Sequence, residues 1–294
     1  MFRILDLDLP LATQMEGFAL PGVIKPLSLS ASRGVIRVDS QAEAFDACER
    51  VRKILATEKL ADDYAARHLL LEEFVSGPEV ALEGMLRKGE LDVLAIFDKP
   101  DPLDGPFFEE TYYITPSRYD DNVQQQLIEC TQNACDALGL REGPVHAELR
   151  ISTGGPVVME VAARTIGGEC ARLLKFGTGR SLEELVIMHA TEKPLQLVHD
   201  AGGAGVLMMP IPAAGILRRI EGVSEARAVP GVTEVLVNIR DGYELVPLPE
   251  GGSYLGFIFA SGHTPAAAEA ALRAAHAKLN VVIAPWMRMQ DARA

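Results

Sequence analysis

Two strand-like segments joined by a short glycine link constrain the fold of this chain more than any other feature. Residues Pro144 to Ile151 and Val157 to Val161 are rich in apolar and β-branched side chains, and the link between them is Ser152-Thr153-Gly154-Gly155. This pattern predicts a β-hairpin. In a hairpin that closes near the middle of this link, Glu148 and Glu160 lie about equally far from the bend, so we expect them to be cross-strand neighbours.

The expected proximity of Glu148 and Glu160 points to a bound cation. Two carboxylates in direct opposition repel each other, and a divalent ion removes that penalty. Mg²⁺ prefers hard oxygen ligands and is often held by one or two carboxylates together with phosphates. We therefore predict a Mg²⁺ site here, which Mn²⁺ could also occupy. Arg164, four residues after Glu160, could reach a transferred phosphoryl group. The alternative is a pair of glutamates neutralised by Arg150 and Arg164.

A lysine followed by a loop of small residues forms a second candidate site. Gly22 to Pro26 has the pattern of a short strand, and the loop after it contains Ser30, Ser32 and Gly34. A lysine at the end of a strand, close to several backbone N–H groups, suits a polyphosphate. The alternative is a solvated turn. Neither the P-loop spacing GxxxxGK[ST] nor the dinucleotide fingerprint GxGxxG occurs in the chain.

The segment Leu69 to Val75 predicts a strand that breaks at Ser76-Gly77-Pro78. Such a break exposes unpaired backbone groups that could bind the edge of an adenine ring. Glu79, just past the turn, could accept hydrogen bonds from ribose hydroxyls. The alternative is an ordinary strand–turn–strand with glutamates on its surface.

Taken together, these segments resemble the ATP-grasp family, and within it the carboxylate–amine ligases that act on amino acids. The likeness covers about Pro21 to Lys193 and is weaker in the C-terminal part. The matching stretches are VIKPLSLSASRGVIRV (Val23 to Val38), LLLEEFVSGPEVALEG (Leu69 to Gly84) and GPVHAELRISTGGPVVMEVAARTIGG (Gly143 to Gly168). Each stretch alone is moderately specific, and their order and spacing make the combination specific.

The resemblance implies a role for individual residues. It implies nucleotide contacts by Lys25, Ser30, Ser32 and Gly34 at the phosphates, by Glu72, Phe74 and Val75 at adenine, and by Glu79 at ribose. Glu148 and Glu160 would hold Mg²⁺, and Arg164 would stabilise the transferred phosphate. Glu110 would contact a substrate amino group, with His146 directed to the same region. Many family members carry an asparagine where this chain has Ala162, which leaves one metal contact to water.

The resemblance also implies an α+β fold of the ATP-grasp type, with two α+β lobes around the nucleotide and a C-terminal α/β lobe. The predicted units are residues 1–75, 76–198 and 199–294. Family members usually have a longer N-terminal lobe that forms the carboxylate pocket and supplies a second phosphate lysine. Only 24 residues precede Lys25 here. We therefore expect this chain alone to bind Mg·ATP and to release phosphate slowly, with little stimulation by amino acids.

The function implied by the resemblance is ATP-dependent ligation of a carboxylate to an amine through an acyl phosphate. The alternatives are a biotin-carboxylase-like or glycinamide-ribonucleotide-synthetase-like ATP-grasp enzyme, and a catalytically weak nucleotide-binding remnant. A formal net charge of −13 argues against nucleic acid as a partner. No apolar run approaches the roughly 20 residues that cross a bilayer. We expect small-molecule carboxylate and amine substrates, no membrane partner and a cytoplasmic location, and a homodimer is left open.

Overall fold

The computed structural model describes residues 1–58, 63–167, 169–194 and 202–286. Within these ranges the strands are β1 Phe2–Asp6, β2 Gly22–Pro26, β3 Ile36–Val38, β4 His68–Glu73, β5 Glu79–Arg87, β6 Glu90–Lys99, β7 Tyr112–Thr115, β8 Gly143–Ser152, β9 Gly155–Ala162, β10 Gly203–Met209, β11 Gly215–Glu221, β12 Val232–Val237, β13 Glu244–Leu245, β14 Gly256–Gly262 and β15 Asn280–Ala284. The helices are α1 Leu11–Met15, α2 Gln41–Thr57, α3 Asp63–Arg67, α4 Asp121–Ala137, α5 Leu174–Thr178, α6 Leu182–Ala190, α7 Val223–Arg227 and α8 Pro265–His276, with a 3₁₀ turn at Cys170–Leu173.

The first lobe is a four-stranded antiparallel sheet in the order β1-β4-β2-β3, with α2 packed on one face. Ser40 and Glu43 have the spacing of a helix cap, and α2 begins there, because the Ser40 side chain accepts a hydrogen bond from the backbone N–H of Glu43. Its buried residues recur at helical spacing and pack against Ile24 and Leu71 of the sheet. Since side chains alternate along a strand, Lys25 and Glu72 lie on the other face of the sheet.

The second sheet has eight strands in the order β12-β14-β10-β7-β6-β5-β8-β9. The predicted hairpin is confirmed, because β8 and β9 pair antiparallel and Glu148 stands directly opposite Glu160. The register shifts between Glu148 and Leu149, so a bulge lies next to the carboxylate pair. Helix α4 begins at the predicted cap, where the Asp120 side chain accepts from the N–H of Val123, and packs against β9 and β6.

The C-terminal part continues the second sheet, because β10 pairs with β7 on one side and with β14 on the other. The pair Gly202-Gly203 has the small-residue pattern of a linker, but Gly203 is the first residue of β10. It pairs with Gly262 within the sheet, and a Cβ at this position would lie 2.2 Å from the backbone nitrogen of Pro265. Glycine therefore allows α8 to begin directly against β10.

The domain limits stay a prediction. The boundary proposed between residues 198 and 199 falls outside the described residues, as does the end of the last unit beyond residue 286. In the described part of the chain, no helix has both the length and the apolar character needed to cross a membrane.

Candidate functional site

A cavity of about 1050 Å³, lined by residues of both larger sheets, brings most of the predicted site residues together. The predicted residues in its lining are Lys25, Ser30, Ser32, Glu72, Phe74, Val75, Glu79, Glu110, His146, Glu148, Glu160 and Arg164. Gly34 is the predicted residue outside this lining. Segments that lie far apart in the sequence thus meet in a space large enough for a nucleotide and a small second molecule.

The carboxylate pair occupies one wall of the cavity. Glu148 is largely buried, with a side chain 19% exposed, whereas Glu160 is exposed. The described residues make no salt bridge to Glu160. Opposed residues of neighbouring strands project from the same face of a sheet, so both carboxyl groups face the cavity. This is the arrangement that the sequence predicts for a divalent-cation site.

The alternative interpretation, in which Arg150 and Arg164 neutralise the pair, is wrong about the partners. Arg150 binds Glu79 instead, with a distance of 2.9 Å between Nε and Oε2. Arg164 donates to the backbone carbonyl of Thr165 at 2.8 Å. Arg164 is exposed at the cavity, where its charge is available to a ligand.

Lys99, which the sequence analysis missed, is the main cationic partner of the buried carboxylates. Its ammonium group lies 2.7 Å from Glu79 and 3.2 Å from Glu148, and it also binds Glu110. Among the described residues, these three glutamates form the group of ligand atoms close enough to share a cation, within 4.8 Å of one another. Because the lysine already contacts all three carboxylates, we interpret Lys99 as their internal counter-ion. Lys99 ends a strand and is followed by Pro100, just as Lys25 is followed by Pro26. This shared Lys-Pro pattern is the sequence signal that marks Lys99 as a second candidate lysine of the site.

Glu79 is only 9% exposed, and both of its oxygens have cationic partners. Oε1 accepts from Lys99 and Oε2 accepts from Arg150. Its contact with ribose stays a prediction. The structure adds that Glu79 links the lysine cluster to the strand that carries Glu148.

His146 sits between two carboxylates. Its Nδ1 contacts Glu83, which is fully buried, and its Nε2 lies 3.4 Å from Glu148. Burial alone would lower the pKa of His146, but the hydrogen bonds to Glu148 and Glu83 raise it to about 9. Burial would raise the pKa of Glu148, and Lys99 and His146 hold it well below its usual range. Glu148 is therefore ionised and able to coordinate a cation.

Glu83 supports the loop that follows β9, the strand that carries Glu160. Its carboxylate accepts a hydrogen bond of 3.3 Å from the backbone N–H of Ile166, two residues after Arg164. The sequence analysis did not single out Glu83, because nothing local distinguishes it from the other residues of a buried strand.

Glu110 lines the same cavity. One of its oxygens contacts Lys99, and the other accepts a hydrogen bond of 2.8 Å from the hydroxyl of Tyr113. Burial and the neighbouring Glu148 carboxylate raise the pKa of Glu110 to about 7. An acidic group in this position suits a cationic substrate group.

The residues of the first lobe form the opposite wall. Lys25 is ion-paired with Glu72. Ser30 and Ser32 line the cavity, but the N–H of Gly34 donates to the carbonyl of Pro249 at 2.9 Å. Gly34 therefore joins the loop to the C-terminal part, and its predicted phosphate contact is not supported by this geometry.

Two backbone groups of the segment that is predicted to contact adenine already make hydrogen bonds within the fold. The N–H of Phe74 donates to the carbonyl of Pro21 at 3.0 Å, and the carbonyl of Val75 accepts from Arg150 at 2.8 Å. The N–H of Phe74 is thus already paired within the fold. A carbonyl oxygen has two lone pairs, so Val75 can still accept from an exocyclic amino group.

Comparison with known proteins identifies this arrangement. The profile of the ATP-grasp domain matches residues 18–172, which is more than half of the chain and includes the lysine strand, the carboxylate hairpin and Arg164. The chain belongs to the ATP-grasp family. A second profile, L-amino acid ligase C-terminal domain 2, matches residues 207–284. The predicted family and fold are thereby confirmed.

Individual relatives point to the same branch of this ATP-grasp family. The chain is 27% identical over 188 residues to an alanine–anticapsin ligase of Bacillus subtilis (strain 168), covering 59% of this chain and 39% of the relative. It is 29% identical over 163 residues to a dapdiamide A synthase of Enterobacter agglomerans, covering 55% and 37%. An L-amino acid ligase structure from Bacillus licheniformis superimposes with a TM-score of 0.82 and 29% identity, covering 96% of this chain and 69% of that one. The aligned part of the chain thus spans well under half the length of these two curated relatives.

Proposed function

We propose that this chain carries the nucleotide and metal site of an ATP-dependent carboxylate–amine ligase that acts on amino-acid-like substrates through an acyl phosphate. The observation that carries the proposal is the carboxylate pair Glu148 and Glu160, opposed across a hairpin at a cavity that Lys25 and Arg164 also line. The similarity to an L-amino acid ligase over almost the whole chain supports the same reaction class.

The donor set of the hairpin fits Mg²⁺, and Mn²⁺ as a substitute. Glu148 is kept ionised by Lys99 and His146, and Glu160 is exposed and makes no salt bridge to the described residues. Both offer hard oxygen ligands, which these ions prefer. When bound there, the ion would neutralise the charge of the nucleotide phosphates. The cluster of Glu79, Glu110 and Glu148 is less suited to the ion, because Lys99 already contacts all three carboxylates.

The cationic groups would serve the phosphates of the substrate nucleotide. Lys25 lies at the end of its strand as a point charge, and its present partner Glu72 is itself partly exposed. Arg164 can donate two parallel hydrogen bonds to a phosphoryl group. During transfer, a carboxylate oxygen of the substrate bonds to the γ-phosphorus while the bond to the β–γ bridging oxygen breaks and ADP leaves.

The second half-reaction joins the amine. After the substrate ammonium group has lost a proton to solvent, the amine nitrogen attacks the acyl carbon. The bond from carbon to the phosphate oxygen breaks, inorganic phosphate leaves with one oxygen of the original carboxylate, and the nitrogen gives up a second proton. Glu110 would hold the substrate ammonium group beside the site of transfer, since its carboxyl lies in the same cavity as Glu148. Holding both reactants in place is the main contribution that such a pocket makes to the rate.

The substrates of the proposed ligase are best tested by phosphate release. The chain is incubated with Mg·ATP and pairs of amino acids, and phosphate is measured against each amino acid alone. The proposal expects slow release whose amino-acid-dependent part, though small for this chain alone, requires both members of the pair, with ADP formed in equal amount. Release that depends on bicarbonate and not on an amino acid would contradict it and would favour a biotin-carboxylase-like activity. We place the reaction in the cytoplasm, where ATP is present, with no nucleic acid or membrane partner.

A further inference from the structure

A buried arginine, Arg150, joins three separate parts of the cavity wall. It lies two residues after Glu148 on β8, directly opposite Glu79 on β5, and is 3% exposed. Its guanidinium group donates to the Glu79 carboxylate at 2.9 Å and to the Val75 carbonyl at 2.8 Å. A third hydrogen bond goes to the carbonyl of Leu103. One planar side chain thus binds β5, the end of β4 and the loop of residues 100–111.

Aromatic rings add to this connection. The guanidinium carbon of Arg150 lies 5.1 Å from the ring centre of Phe74 and 5.5 Å from that of Phe108. The two rings are stacked, with centres 6.4 Å apart. Arg37 contributes a second guanidinium, 4.2 Å from the ring of Phe74, and donates to the carbonyl of Asp104 at 2.7 Å. The Phe74 ring is therefore held by two arginines, each bonded to the loop of residues 100–111.

The chemistry of these contacts requires an arginine. Three acceptors in different directions match the fixed fork of a guanidinium, whereas a lysine ammonium is a compact charge on a flexible stem. Burial increases the contribution of each charge-assisted hydrogen bond to stability. An acceptor left unpaired in this place would lose its hydration without compensation.

We propose that Arg150 is a positioning residue that sets the segment Phe74–Val75 relative to Glu148. Through Glu79 and Lys99, the same network continues to Glu110 and Glu148. The base end and the metal end of the cavity are thereby held at a fixed separation. This proposal rests on the proposed function, in which Val75 faces the base and Glu148 holds the metal.

The test compares three ligands that reach different parts of the cavity: ATP, adenosine, and tripolyphosphate with Mg²⁺. Each displaces a fluorescent ATP analogue from the wild-type chain, Arg150→Lys and the control Arg227→Lys, which removes an arginine bond to the Val235 carbonyl outside the cavity. Arg150→Lys should weaken adenosine and ATP about tenfold and leave tripolyphosphate within about twofold, since only the base end loses its support. The control should match the wild type.

Equal weakening of all three ligands would show that Arg150 supports the fold in general, and no change in adenosine affinity would show that it positions nothing; either result overturns the proposal. If Arg150→Lys does not fold, Phe108→Leu removes one ring from the same stack and should weaken adenosine selectively by a smaller factor. Unchanged adenosine binding in that variant also overturns the proposal. Failure of the wild-type chain to bind the analogue would instead reject the proposed function itself.

Discussion

Glu148 on β8 stands directly opposite Glu160 on β9, and both side chains face the same cavity. The two differ in their surroundings, because Glu148 contacts Lys99 and His146 whereas Glu160 makes no salt bridge to the described residues. One carboxylate is thus held in place by the fold, and the other is available to a ligand. This asymmetry makes Glu160 the better position for testing the metal site without disturbing the core.

The first prediction concerns Glu160→Gln. Because the amide removes a charge from the proposed Mg²⁺ site, we expect Mg·ATP affinity to fall by about tenfold or more, with the unfolding transition unchanged. Titration calorimetry measures the affinity. The control is Glu90→Gln, an exposed glutamate at the start of β6. Equal Mg·ATP affinity in the folded Glu160 variant and the control would remove Glu160 from the metal site.

The second prediction concerns Lys25. As a point charge beside the phosphates, it should matter for ATP and little for adenosine. Lys25→Ala should therefore lose ATP affinity and keep most of its weaker adenosine binding, whereas Arg150→Lys is expected to weaken adenosine as much as ATP. Losses of the same size for both ligands would place Lys25 in the support of the fold.

The third prediction concerns Lys99→Met. Removing a buried cation leaves Glu79, Glu110 and Glu148 without their shared partner, so we expect the free energy of unfolding to fall by about 3–5 kcal/mol. Urea unfolding measures the loss. Added Mg²⁺ should restore part of it, since the three carboxylates lie close enough to share an ion.

The control for Lys99 is Lys53→Met, which removes an exposed lysine from α2 and should change the unfolding free energy by no more than about 0.5 kcal/mol. If Lys99→Met is as stable as this control, the buried ammonium is not the counter-ion of the cluster.

The fourth prediction concerns pH. The pKa of His146 is raised to about 9 in the folded chain from about 6.5 when unfolded. The folded state therefore binds more protons between these values, and stability from His146 is complete below pH 6.5 and is lost as the pH rises through 9. The pKa of Glu110 is also raised, to about 7, so the folded state likewise loses stability as the pH rises toward 7.

In metal-free buffer, the free energy of unfolding should fall by on the order of 2–3 kcal/mol between pH 6.5 and 9 through His146. Urea unfolding of His146→Gln should show a smaller fall, and the exposed His263→Gln should behave like the wild type. An identical pH dependence in His146→Gln and the wild type would contradict the assignment.

Local patterns in the sequence predict the features that depend on residues close together in the chain. Ser40, Asp120 and Ser181 are residue types that favour the N-cap position, and each begins a helix, because its side chain accepts a hydrogen bond from the backbone N–H three residues later. The hairpin carrying Glu148 and Glu160 follows from strand pattern and turn in the same way.

Features that depend on contacts between segments far apart in the sequence were not predicted. Strand β1 pairs with β4, which begins more than sixty residues after β1 ends, and no local signal marks that match. Strand β7 is short and becomes recognisable through its pairing with β10. Lys99 was missed for the same reason, since its three carboxylate partners come from β5, β8 and the loop before β7. Burial of a charge is decided by tertiary contacts, and the sequence alone does not show them.

In the proposed reaction a substrate carboxylate is phosphorylated, and an amine then displaces the phosphate from the acyl phosphate. The most direct measurement labels both oxygens of the amino-acid carboxylate with ¹⁸O and follows the label into inorganic phosphate by mass spectrometry, with Mg·ATP and the second amino acid present. Because the acyl phosphate passes one carboxylate oxygen to the leaving phosphate, we expect one ¹⁸O atom per phosphate released in response to the amino acids, even at slow turnover. If this amino-acid-dependent phosphate carries no label, water and not a carboxylate attacks the nucleotide, and the proposed acyl phosphate is wrong.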